Sequence, residues 1–551
     1  MNVSLLRFSM SLLLALSLTG CATYSKAKRT SLSYESASPS GQIIAATLKR
    51  TKETPQARIG AYLDAAQKAA AVLRGAPEDV QARQDYNFAV SRIVEEIGDA
   101  GLDLTRSAIR CPGAAGEWVF SVKTPARLGD QTFADFRVVP ADRYEFKGRL
   151  VKERSLKEGL GAPVVVTNRG FDPVKADPFA QGRHSYFGMT VVIDFQGRNC
   201  VTRVFDPLVT EDVVVEGRTF PLAADFTAPI GLALAELKPR KQELKRLFKP
   251  EEFRDSTRLA RLQPYEAGKI PLLLIHGLGD SQATWAPMVE ALRADPVIRK
   301  NYQIWFYSYP TGYPYPLTAA VLRQQLEAIK KRHPDHKKMV VVGHSMGGMI
   351  ARTLITDSGT QIWDAIFDMP PSELPLSDAT GQLLKKALIF KPQPDVARVI
   401  FCSASLGGSD TATGFMGRLG GKLIGSPEDL KDEGDEFVMM AKPREDGLMI
   451  KHFPNSIDLL DPKNRFINTI NRIPVTPGIP YHSIMGDRGK GGNLNHTKPQ
   501  STDGIVPYWS SHIDGAQSEL IVPSHHWSNQ NPQAIAEVRR ILVQHLQSSA
   551  K

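Results

Sequence analysis

Hydrophobic and polar positions follow several different rhythms along this chain, and the changes of rhythm mark its parts. A short start with one cation, Arg7, leads into an apolar run through Leu12, Leu13, Leu14, Ala15, Leu16 and Leu18. The run is shorter than the about 20 apolar residues a bilayer-spanning helix needs, and it reads as a secretory signal peptide over residues 1–20. From Gln42 to about Leu102 apolar residues recur at spacings of three and four. They are Ala61, Leu63, Ala65, Ala69, Ala70, Ala71 and Leu73, then Tyr86, Phe88, Ala89, Val90, Ile93, Val94 and Ile97. That period predicts a helical region. From Glu117 to about Ala224 short β-branched and aromatic runs, such as Trp118-Val119-Phe120 and Thr190-Val191-Val192-Ile193, alternate with Gly, Pro and Asp turns. This predicts an antiparallel β-rich module. It holds no catalytic constellation, so it reads as scaffold or interaction surface.

In the C-terminal half the rhythm changes again. Lys269 to His276 carries five aliphatics in six positions, the pattern of a strand buried on both faces in a parallel sheet. Similar runs follow at residues 303–309 and 339–342, with helical stretches at about 285–293 and 317–331 between them. Further strands are expected at residues 479–485 and 519–522, and a closing helix from Pro532 to about Leu546. The alternation predicts the α/β class, with a mostly parallel sheet and right-handed crossovers.

Composition excludes several classes. The length of 551 residues fits two to four domains. With 42% hydrophobic and 23% charged residues the chain is neither disordered throughout nor a multi-span membrane protein. The formal charge of +10 is spread along the chain, so no nucleic-acid partner is expected. Four cysteines without a C-x-x-C pair make no disulfide scaffold and no structural zinc site. His333 and His336 stand as H-x-x-H in a polar loop that reads as solvated, so no metal is expected, and no phosphate or dinucleotide loop calls for a cofactor.

The cysteines separate by context. Leu18-Thr19-Gly20-Cys21 resembles the bacterial lipobox, which implies a lipidated Cys21 at the mature N-terminus. Ala22 rather than Asp follows it, which in lipoproteins implies the outer membrane, facing the periplasm. The Ser-, Ala- and Lys-rich residues 21–41 then read as a flexible tether. Cys111 and Cys200 fall in the N-terminal module, over residues 42–235, where an oxidising periplasm allows a disulfide. Cys402 follows Val399-Ile400-Phe401 and reads as a buried small hydrophobe. Residues 236–262 are basic and helical in pattern, with Lys238, Arg240, Lys241, Lys245, Arg246 and Lys249. They read either as a solvated linker helix or as a helix lying on anionic lipid.

The chemistry lies in residues 263–551. The strand before it and the helix after it make Gly343-His344-Ser345-Met346-Gly347 a nucleophile elbow. The tight turn lifts the Ser345 hydroxyl above the sheet, and small residues must flank it. An activated serine needs a base, and the base needs an orienting acid. Asp503 stands in Asp503-Gly504-Ile505-Val506-Pro507, and His525-His526 follows the last strand.

Residues from about Ile270 to Leu546 resemble an α/β-hydrolase-fold lipase or esterase, nearest to the lipases and acyltransferases with an Asp-Gly-x-Val-Pro motif. The resemblance covers about half the chain. It implies Ser345 as nucleophile, Asp503 as orienting acid and a terminal histidine as base. The family's base usually stands six or seven residues before the proline that opens the last helix. Pro532 lies six after His526 and seven after His525, so His526 is the expected base and His525 the alternative. Asp487, in Met485-Gly486-Asp487, is the alternative acid. The oxyanion hole falls to the main-chain N–H groups of Leu278 and Met346. The implied activity is acyl-enzyme hydrolysis of carboxylic esters of acyl lipids or of thioesters, with acyl transfer as a variant. The rival is a non-catalytic envelope protein that binds lipid or partners. The expected partners are an ester or acyl-lipid substrate and, through Cys21, the membrane. Insertions of lid type are expected at about 356–395, with Trp363, Ile366, Phe367 and Met369, and at 411–471. An apolar lid suits acyl chains; ordinary helical packing is the other reading.

Overall fold

The computed structural model describes residues 24–103, 107–123, 135–168, 172–180, 182, 185–410, 428–489, 493 and 495–549. The expected signal peptide and Cys21 lie outside the described residues. The chain divides into two compact units, one holding Thr23–Lys238 with Glu290–Lys300, the other Pro239–Val289 with Asn301–Lys551. No helix among the described residues is long and apolar enough to cross a membrane.

In the N-terminal unit the helices Pro55–Gly75 and Val80–Ala100 pack closely because one face is mostly alanine. Ala65, Ala66, Ala69 and Ala70 are buried with Tyr86, Ala89, Val90 and Ile93. Thr54 and Asp79 cap the two N-termini with side-chain oxygens, and Gly101 ends the second helix in the left-handed region. The helices share a core with a six-stranded sheet ordered Ile109–Gly113, Gly116–Val122, Asn199–Phe205, Tyr186–Gln196, Ala162–Asn168, Phe136–Pro140. It is antiparallel except where Gly116–Val122 runs parallel to Asn199–Phe205.

One open possibility is closed here, and two expectations need correction. The disulfide is not formed: Cys111 and Cys200 are free and buried. Cys111 lies opposite Trp118 and Cys200 opposite Phe120, so the strand Gly116–Val122 separates them. Two strand spacings, about 9–10 Å, exceed the about 7 Å that a disulfide tolerates between Cα atoms. The tether is not loose from residue 24 onward. Lys26–Arg29 pairs with Tyr144–Lys147, and Ser38 and Ser40 donate to the buried Asp85 carboxylate. Serines that looked like linker composition are spent on that carboxylate. The basic linker, finally, is not one helix. Helix Ala228–Leu237 stops at Lys238 (φ 47°) and Pro239, helix Arg240–Phe248 follows, and Arg258–Arg261 is a strand. Proline lacks the N–H that would continue the first helix.

The C-terminal unit is built on seven strands: β1 (Arg258–Arg261), β2 (Ile270–Ile275), β3 (Tyr302–Ser308), β4 (Met339–His344), β5 (Val396–Cys402), β6 (Tyr481–Gly486) and β7 (Ser518–Val522). Their order is β1-β3-β2-β4-β5-β6-β7, with β1 antiparallel and the rest parallel. This is the α/β-hydrolase fold, with its mostly parallel sheet. Every residue of β2 and β4 is buried, as continuous aliphatic runs demand. The closing helix is Pro532–Ser549.

The insertion expected at 356–395 contains helices Gln361–Ile366 and Asp378–Leu388. In the second, residues 411–427 lie outside the described residues, and helices Lys431–Met440 and Arg465–Arg472 follow. The H-x-x-H loop is exposed at Pro334, Asp335, Lys337 and Lys338, but its two histidine rings are packed. His333 stacks on Tyr265 at 3.8 Å, and His336 is buried with its Nδ1 near the Lys337 carbonyl.

Candidate active site

The elbow forms where β4 ends. Ser345 takes φ 53° and ψ −125°, a conformation an L-residue holds only under constraint from its surroundings. Its N–H donates to the Cys402 carbonyl at 3.0 Å, and its own carbonyl accepts from Gly348 at 2.9 Å. A Cβ on Gly343 would strike the Gly347 carbonyl, and one on Gly347 would strike the Ile275 carbonyl. Only glycine lets the helix Met346–Thr353 turn back so close to β2 and β4. Met346 is the first residue of that helix, so its N–H has no partner within it.

Three side chains from three separate segments meet above the sheet edge. His526, after β7, has Nε2 2.9 Å from Ser345 Oγ and Nδ1 2.8 Å from Asp503 Oδ2. Asp503 Oδ1 accepts from the N–H groups of Ile505 and Val506, each at 2.8 Å. The Asp-Gly turn is thus closed by the carboxylate itself, with Gly504 at φ 103°. Burial alone would raise the Asp503 carboxyl; the charge and hydrogen bond of His526 and the two N–H donors outweigh it and hold it below the usual range. All three side chains are nearly enclosed: Asp503 is 2% exposed, Ser345 and His526 7%.

The alternatives go elsewhere. His525 is exposed, one residue along the same loop. Asp487 is buried, but its carboxylate accepts from the main-chain N–H groups of Gly489 at 2.8 Å and Asn493 at 3.2 Å. It holds Gly489 and Asn493 in the segment after β6.

The loop after β2 lies against the elbow. A Cβ on Gly277 would sit 2.9 Å from Ser345 Cβ, so glycine permits the approach. Next to it, the Leu278 N–H makes no main-chain hydrogen bond among the described residues. The loop is held from both sides. Tyr309 donates to the His276 carbonyl at 2.6 Å, and Thr311 Oγ1 accepts from Gly279 N–H at 3.1 Å. On the other side, Leu278 packs on Leu247 and Ile457, while Ser281 Oγ donates to the buried Glu243 carboxylate at 2.7 Å. The helix Arg240–Phe248 therefore braces this loop, a role that its basic composition did not signal.

His344, inside the motif, was not singled out from sequence. It is 1% exposed, and its Nε2 lies 2.9 Å from the His526 carbonyl. Burial, then the neighbouring His526, pushes it down to about 3, so it is neutral. His276 is likewise pushed down to about 3 by burial. Cys402 is fully buried, and burial raises its thiol to about 12, which suits a packing role. Among the described residues no group of His, Cys, Asp and Glu is placed to hold a metal ion.

An apolar pocket lies between the two insertions and the start of the helix Tyr315–Arg332. Pro314, Leu317, Ile366, Leu384, Phe437 and Phe453 line it, with Lys442 and Arg465 as polar lining. The turn that supplies Pro454 and Leu459 to its wall also carries Ile457, which packs on Leu278.

Chemically, this geometry can pass a proton from Ser345 Oγ to His526 Nε2 while Asp503 holds Nδ1–H.

Residues 272–538 match the profile of the Alpha/beta hydrolase family. No curated protein matches the chain. Among solved structures, a mature lipase of Bacillus licheniformis is similar at 17% identity and a TM-score of 0.31, covering 52% of this chain and 97% of its own. A lipase-esterase related protein of Clostridium acetobutylicum is similar at 11% identity and a TM-score of 0.28, covering 52% and 98%. A metagenomic carboxyl esterase is similar at 17% identity and a TM-score of 0.27, covering 52% and 78%.

Proposed function

We propose that the C-terminal unit is a serine hydrolase that cleaves carboxylic esters, with Ser345 as nucleophile, His526 as base and Asp503 as the acid that orients it. The observation that carries this reading is the hydrogen-bonded series from Ser345 Oγ through both nitrogens of His526 to Asp503. In the reaction Oγ attacks the ester carbonyl as Nε2 takes its proton. The carbonyl oxygen becomes an oxyanion facing the N–H groups of Leu278 and Met346. The imidazolium returns the proton to the leaving alcohol, and an acyl-serine remains. Water, deprotonated by His526, then releases the acid. The apolar pocket favours acyl esters as substrates. A panel of acyl esters with increasing chain length tests this against Ser345→Ala. Turnover should fall about 10⁶-fold in the variant. Equal turnover by both proteins refutes the proposal.

We further propose that an acylated Cys21 ties the protein to the outer membrane on its periplasmic side, as the lipobox resemblance implies. Several acyl chains, at about 0.8 kcal/mol per buried methylene, give lasting attachment. Mass spectrometry of the mature N-terminus checks it; an unmodified cysteine ends the claim.

A further inference from the structure

The ring at the second position of the elbow does something that the three-residue series does not explain. His344 Nε2 faces the main-chain carbonyl of His526 at 2.9 Å. A carbonyl only accepts, so Nε2 carries the proton. The same carbonyl accepts the Ser528 N–H at 2.9 Å. Two donors from different directions fix the peptide plane after His526, and with it the direction of the His526 side chain. The other nitrogen, Nδ1, is buried without a hydrogen-bond partner. It faces Gly277, where an added Cβ would lie 3.2 Å away. Trp285 stands nearly perpendicular to the ring, at 6.4 Å between centroids. One side chain therefore touches the base loop and the oxyanion loop, and is covalently next to Ser345.

We infer that His344 is a positioning residue for the proposed reaction: as a neutral Nε2–H imidazole it holds the His526 main chain so that the base stays aligned with Ser345. The inference rests on the reading given under Proposed function. Neutrality is part of the role. The His344 and His526 rings lie 5.0 Å apart between centroids. A charge on His344 would oppose the imidazolium that His526 becomes when it takes the serine proton. The charged or titratable groups that act on His344 are His526, Asp503 and His276. His276 is neutral, and Asp503 is engaged by His526 Nδ1.

The test joins two measurements on the full chain. The first is steady-state kinetics on a soluble ester with His344→Leu and His344→Gln, each checked for parent-like near-ultraviolet dichroism. Leucine removes the donor, and a shift of the base of about 1 Å costs about 100-fold in turnover. That loss should fall on kcat, with KM nearly unchanged. Glutamine offers an N–H in its place and should recover most of it. A leucine variant that turns over like the parent, or a glutamine variant as poor as the leucine one, overturns the inference. The second measurement needs no activity. Imidazole ¹⁵N spectra of the parent, with the His344 signals assigned by their loss in His344→Gln, should show a neutral Nε2–H tautomer from pH 5 to pH 9. A protonated ring or an Nδ1–H tautomer at neutral pH overturns it. If the parent hydrolyses no ester while the spectra show that tautomer, the functional proposal fails and the placement of His344 stands.

Discussion

At the residue scale the account turns on which proton acceptor faces which donor. In the proposed reaction Asp503 contributes by being ionised and by holding the His526 Nδ1–H. Its folded pKa lies below the unfolded value, so the stability its ionisation supplies is present above about pH 4. It is lost only as pH falls through the lower folded value. Mild acidification therefore leaves Asp503 charged, and an activity loss near pH 6 does not report on this group. Asp503→Asn keeps the shape but presents an amide that favours the wrong tautomer of the base, so kcat should drop by about 10⁴. His525→Ala should leave the same assay within about twofold, since exposed positions away from the chemistry change little. Steady-state kinetics of the two variants check both; a parent-like Asp503→Asn, or a large loss in His525→Ala, would contradict these assignments. Ser345 and Asp503 were legible in the sequence because each is framed by its own local motif. His526 was preferred over His525 only through its spacing to Pro532, because adjacent loop residues differ otherwise only in which way the chain turns. The bond from His344 was illegible: it closes onto a residue 182 positions away.

At the element scale, legibility followed the strength of the hydrophobic period. The aliphatic runs of β2 and β4 predicted buried parallel strands, and both are buried throughout. Gly343 and Gly347 could be understood only with neighbours in place, since what a Cβ would strike is the carbonyl of Gly347 or of Ile275. Elements judged by composition fared worse. The basic run after Lys238 holds a buried carboxylate, Glu243, which pairs with Arg240 and accepts from the Ser281 hydroxyl of the loop after β2. A period of charges shows a solvated face; it does not show what the opposite face grips. Two cysteines in one module likewise say nothing of the strand between them, and here that strand keeps them about two strand spacings apart.

At the scale of the whole molecule, the chain is two compact units, and the candidate site is built entirely from the C-terminal one. Its parts arrive from β2, β4, the loop before β7 and the loop after it, so the fold must close before the site exists. That is the economy of the α/β-hydrolase sheet: strand ends set the positions and loops supply the groups. The central claim is that Ser345 is an activated nucleophile. Labelling the folded protein with a fluorophosphonate probe, followed by peptide mass spectrometry, tests it most directly. The account predicts a single phosphonylated residue, Ser345, and no labelling after Asp503 and His526 are both replaced by alanine. A folded protein that leaves Ser345 unmodified, or that is labelled at another serine, would contradict it.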